Sequence, residues 1–76
     1  MENEAVEPVP VDSSALHDVA YDTERRRLVL TFVSGSVYEY ADVPATVARD
    51  LLGAESKGRY FNEHIRDRYR FSRRHE

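Results

Sequence analysis

The stretch RLVLTFVSGSVYEYA, Arg27 to Ala41, decides the fold. Leu28, Leu30 and Phe32 alternate with Val29, Thr31 and Val33, the period of two expected of a strand with two unlike faces. Its β-branched residues suit a pleated surface. Ser34-Gly35 then breaks the alternation with turn chemistry, and Ser36–Ala41 resumes it. The segment reads as a β-hairpin with strands over 27–33 and 36–41.

Two registers are open to this hairpin. A loop of Ser34-Gly35 alone sets residue 33 opposite 36 and places Tyr38 and Tyr40 with Val29 and Thr31. A loop of Val33-Ser34-Gly35, with Gly35 left-handed, sets 32 opposite 36 and places both tyrosines with Leu28, Leu30 and Phe32. A slip of one residue moves the whole set to the other face. The second register gathers five large residues on one side and is the favoured reading.

Outward from the hairpin, Ser14–Asp22 reads as a preceding strand. Val19 and Tyr21 share a face, but Leu16 has the opposite parity, which predicts a bulge or bend near His17–Asp18. Asp22-Thr23-Glu24-Arg25 is a polar turn. Downstream, Pro44 suits the first position of a helix, and Val43, Val47, Ala48, Leu51 and Leu52 repeat near helical spacing. Gly53 ends or loosens that helix. Ser56 caps a second one, in which Phe61, Ile65 and Tyr69 recur every four residues, flanked by Tyr60 and His64. Strands first and helices after predict an α+β fold: a three-stranded antiparallel sheet followed by two helices packed on one face. Residues 1–12 read as a disordered acidic tail, residues 13–71 as one domain, and residues 72–76 as a basic tail.

With 76 residues there is room for one compact domain. There is no Cys, so disulfides and thiolate metal sites are excluded, in keeping with a cytoplasmic protein. No apolar run approaches the roughly 20 residues of a membrane span. The formal net charge of −3 hides an asymmetry. Residues 1–24 hold seven acids and no Lys or Arg, whereas residues 57–76 hold seven bases and three acids. A basic C-terminal third is consistent with a nucleic-acid partner, or with a solvated face.

Several of these residues carry a resemblance. Tyr38-Glu39-Tyr40, Val43-Pro44 and Ser56-Lys57-Gly58-Arg59-Tyr60-Phe61-Asn62, together with Gly35, resemble the KTSC family over Ser13 to Phe71. That family takes its name from a domain at the C-terminus of some lysyl-tRNA synthetases and also occurs as free-standing small bacterial proteins. The resemblance implies a domain type and, through attachment to a tRNA-handling enzyme, a role in RNA binding.

The residues themselves offer little for catalysis. There is no nucleophile elbow or Walker-type loop, and His17, His64 and His75 are scattered. No enzyme activity, metal or cofactor is expected. Three features suit binding instead. Ser56, Lys57, Gly58 and Arg59 sit at a helix N-terminus, where free N–H groups favour an anion; the structural alternative is a cap, a close packing contact and two solvated bases. Arg66, Arg70 and Arg73 would share a helix face and extend a basic strip toward phosphates. Tyr38 and Tyr40 would stack bases if exposed, but the favoured register puts them with the core and makes stacking the lesser reading. The leading expectation is therefore a non-catalytic binding domain for structured RNA such as tRNA, working through phosphate contacts. The alternative is a protein–protein module using the exposed sheet face (Val29, Thr31, Val37) or an open sheet edge. The oligomeric state is not encoded in any of these patterns.

Overall fold

The computed structural model describes residues 8–74. Seven elements follow one another: β1 (Val9–Pro10), β2 (Leu16–Asp22), β3 (Arg27–Phe32), β4 (Val37–Tyr40), α1 (Ala45–Gly53), α2 (Lys57–His64) and β5 (Phe71–Arg74). The strands form one antiparallel sheet in the order β1-β2-β3-β4-β5. The α+β class and the two helices agree with the sequence; the sheet has five strands, not three.

The central hairpin adopts the longer loop. Leu30 faces Tyr38 and Leu28 faces Tyr40, and the Phe32 N–H donates to the Ser36 carbonyl at 2.9 Å. Gly35 has φ +98°, a left-handed value that a Cβ would strain, and its N–H donates to the Phe32 carbonyl. The bulge in β2 is also present, since Leu16 pairs with Phe32 but Asp18 with Thr31. The extra residue, His17, restores Val19 and Tyr21 to the inward face with Leu16.

Inward residues of β2 and β3 meet α1 and α2 in a core where Leu16, Val19, Leu28, Leu30, Val43, Leu51 and Ile65 are almost wholly buried. Tyr21 ties this core to the loop before α1, its hydroxyl donating to the Val43 carbonyl. Pro44 occupies the N-cap of α1, one position earlier than its sequence suggests, because its extended ψ of 149° lets the helix begin only at Ala45. Leu52, counted in the apolar stripe of α1, is 38% exposed.

Three expectations fail at the ends of the chain. The tail reading of residues 1–12 does not hold for Val9–Pro10, which pair with Val19 and Asp18; its first seven residues lie outside the described ones. The second helix stops at His64. Ile65 takes φ −124°, and the N–H groups of both Ile65 and Arg66 converge on the Phe61 carbonyl. The chain then turns so that residues 71–74, read as part of a helical strip and a tail, become β5 along the outer edge of β4. Tyr69 remains half-buried against the core through this turn rather than through a helix. The edges of β2 and β4 read as open are thus partly covered, by β1 and β5.

Candidate functional site

The helices cover β2 and β3 but leave the β4–β5 end of the inner sheet face open. A cleft of about 560 Å³ lies there. Its floor is Tyr38, Tyr40 and Phe71, and Phe32 and Phe61 stand as walls. Tyr40 is only 2% exposed, Tyr38 is half-buried and Phe71 is 51% exposed. The three floor rings lie 25°, 32° and 44° from parallel in pairs, with centroids 5.4–6.4 Å apart. The wall rings stand crosswise, Phe32 at 81° to Tyr38 and Phe61 at 77° to Tyr40. The polar lining is Ser34, Ser36, Asn62, Arg66 and Asp67. Arg73, one residue beyond Ser72 on β5, lays its guanidinium carbon 5.9 Å from the Tyr38 ring centroid and donates to Ser36 Oγ at 3.1 Å.

The sequence-derived candidates divide. Ser56 does cap α2, its Oγ accepting from the Arg59 N–H at 3.3 Å. Lys57 Nζ donates to the Ala54 carbonyl at 3.0 Å, closing the end of α1. At Gly58 a Cβ would stand 3.1 Å from the Ala15 Cβ, so this glycine lets α2 approach the segment before β2. These three residues have structural work that needs no ligand. Arg59 is exposed and lies one helical turn before Asn62. Arg66 reaches the cleft from the turn after α2, and Arg73 reaches it from β5, not from a helix as expected. Arg70 is exposed in the connection, and its carbonyl accepts from the Ala41 N–H. The structure thus brings Arg66 and Arg73 together with Tyr38, on the tyrosine face that the sequence had set aside. Phe71 was missed, and its position two residues before Arg73, with Arg73 facing Tyr38 and Phe71 facing Tyr40, is the only trace of it in the sequence.

A Gly58→Val substitution should test the packing role. Ala15 has little freedom to yield, because its N–H donates to Ser13 Oγ and its carbonyl accepts from Val33. We expect a loss of about 2 kcal/mol in urea denaturation, with Gly58→Ala near neutral because helix propensity gained there offsets the crowding.

Burial sets the chemistry of the floor. The Tyr40 hydroxyl is pushed up to about 12, first by burial, then by Tyr38 beside it, with Arg66 opposing and Asp67 reinforcing the shift. An unfolded tyrosine ionises near about 10. The folded state therefore holds its proton more tightly, and the resulting stability is complete below about pH 10 and lost as pH rises toward about 12. Urea midpoints measured across that window should fall less steeply for Tyr40→Phe than for the parent chain.

The opposite sheet face is built differently. Glu39 accepts from Arg27 and Arg74, each at 3.3 Å, and Asp22 pairs with Arg25 at 3.1 Å. Val29, Thr31 and Val37 are half-buried between these ion pairs. Among the described residues, no group of three or more His, Cys, Asp or Glu side chains is placed to hold a metal, and no helix is long and apolar enough to cross a membrane.

Residues 12–69 match the KTSC domain model. The chain belongs to the KTSC domain family. A KTSC domain protein of Yersinia pestis, known from its crystal structure, superposes with a TM-score of 0.90 at 30% identity, over 93% of this chain and all of that one. A protein of Tsukamurella paurometabola is 44% identical over 61 residues, 80% of this chain and 91% of its own length. A lysine–tRNA ligase of Nostoc punctiforme is 40% identical over 60 residues, and this chain spans only 11% of that enzyme. The KTSC match ends at residue 69, so Phe71 and Arg73 of the cleft lie just beyond it.

Proposed function

We propose that this KTSC domain is a non-catalytic binding module that engages structured RNA at the open end of its inner sheet face. One observation carries the reading. Arg25, Arg27 and Arg74 on the outer face are paired with carboxylates, whereas Arg66 and Arg73 have no ion-pair partner among the described residues; they share that state with Arg26, Arg49, Arg59, Arg68 and Arg70 but alone combine it with the open aromatic rings of the cleft. Unpaired guanidiniums offer planar donor forks suited to phosphate. Similarity to a segment of a lysine–tRNA ligase supports RNA as the nucleic acid. On the outer face, self-neutralised charges leave less for a partner to pair with, which weighs against the protein-binding alternative.

Titration of tRNA into the isotope-labelled domain at about 50 mM salt tests this. Shifts are expected at Tyr38, Asn62, Arg66, Phe71 and Arg73 and are expected to vanish as salt rises. Shifts centred on Val29, Thr31 and Val37, or none at all, would rule the reading out.

A further inference from the structure

Phosphate binding uses the arginines of the cleft but leaves its aromatic floor without a purpose. Tyr38 and Phe71 present a contiguous, partly exposed aromatic surface, with ring centroids 5.6 Å apart. Large apolar groups left open side by side mark a contact surface more often than isolated ones do. The floor rings, tilted 25–44° to one another, and the crosswise walls line an aromatic cleft against which a flat guest can pack. Its volume, about 560 Å³, falls in the range of small-ligand clefts. Arg66 and Asp67 line the cleft, and Arg73 lies beside it over the Tyr38 ring.

We infer that the cleft is a subsite for one unpaired nucleobase, packed against Tyr38 and Phe71, with its phosphate held by Arg66 and Arg73. The inference rests on the RNA reading and specifies what the RNA must offer: a base free of its helix. Bases that stack on aromatic side chains in this way contribute independently of sequence. The base edge meets two polar side chains. Asn62 offers a donor and an acceptor, and Asp67 offers acceptors only. Cytosine satisfies both with its exocyclic amine and ring N3, and uracil does so with its ring N3–H and a carbonyl oxygen, so the edge accepts either.

Three short single strands of equal length separate the parts of the inference: oligocytidylate, oligouridylate and an abasic strand with the same number of phosphates. Titrated into the full chain at about 50 mM salt, oligocytidylate and oligouridylate should each bind roughly 10-fold or more tightly than the abasic strand. Tyr38→Leu and Phe71→Ala should each bring oligocytidylate toward the abasic level. Phe71 lies half-exposed on an edge strand, so its variant keeps the fold even if the Tyr38 variant does not. Arg66→Gln should weaken all three strands alike. Equal affinity for the abasic strand and oligocytidylate would overturn the base subsite and leave phosphate binding standing, with the aromatic floor then open to a protein side chain. Failure of all three to bind while tRNA still binds would overturn the base subsite, and failure of tRNA as well would overturn the RNA reading itself.

Discussion

Leu30→Ala is expected to unfold the domain at room temperature. Leu30 lies on the central strand, wholly buried, between Val19 of β2 and Tyr38 of β4. Truncating a buried leucine costs about 2.7–5 kcal/mol, because the lost transfer energy is joined by a cavity that the neighbours only partly fill. Relaxation is restricted here, since β3 is hydrogen-bonded along both edges. A core of this size supplies only about 3–5 kcal/mol in all, without a disulfide to assist it. The deficit therefore matches or exceeds the whole stability. Loss of near-ultraviolet tyrosine dichroism and of amide dispersion should report it. Leu30→Met, close in volume, should stay within about 1.5 kcal/mol of the parent, and Val33→Ala, at a position 60% exposed, should change stability by less than about 0.5 kcal/mol. A cooperatively folded Leu30→Ala variant within about 1 kcal/mol of the parent would show that the core is held by something other than this layer.

The hairpin and bulge were legible because burial on one face fixes strand parity. Leu28, Leu30 and Phe32 have to be joined by Tyr38 and Tyr40, and Gly35 permits the loop that joins them. Leu16 and Val19 cannot both point inward without one extra residue, and His17 is that residue. The end of α2 was not legible, for the opposite reason. Phe61, Ile65 and Tyr69 recur at helical spacing, but a turn that returns Tyr69 to the core satisfies the same burial pattern. Residues 71–74 carry one aromatic among Ser and Arg, all exposed, so no periodicity announces a strand. Their pairing comes from the backbone edge of β4, from Phe71 against Tyr40 and from Arg74 against Glu39.

The candidate site inherits this split. Tyr38 and Tyr40 were visible as a pair, and the register placed both on the core face. What separates them is where the helices stop: Phe61 packs on Tyr40, whereas Tyr38 is left beside the open cleft. Coverage of a sheet by helices depends on how a turn directs the chain. No side-chain period in the sequence records it. The same turn carries Arg66 to the cleft rim and releases the chain to form β5, so the arginines reach the site from two elements rather than along one helix.

A double substitution, Arg66→Gln with Arg73→Gln, should reduce tRNA affinity roughly 10- to 100-fold at low salt, taking each phosphate contact as about 1 kcal/mol or more after allowance for its exposure. Each phosphate neutralised contributes about 0.7–0.9 to the slope of log affinity against log salt, so the slope should flatten by about 1.4–1.8. The informative control removes the same charge elsewhere. Arg25→Gln with Arg27→Gln alters net charge identically, but these two side chains already pair with Asp22 and Glu39 on the outer face. At about 0.1 M salt the screening length is about 10 Å, less than half the shortest dimension of the molecule, 23 Å. A phosphate bound at the cleft therefore senses little of the outer face, and the control should keep its affinity within about twofold with an unchanged slope. If both pairs weaken binding equally, attraction is set by total charge and not by the cleft. If only the outer pair matters, the interface lies on the opposite sheet face.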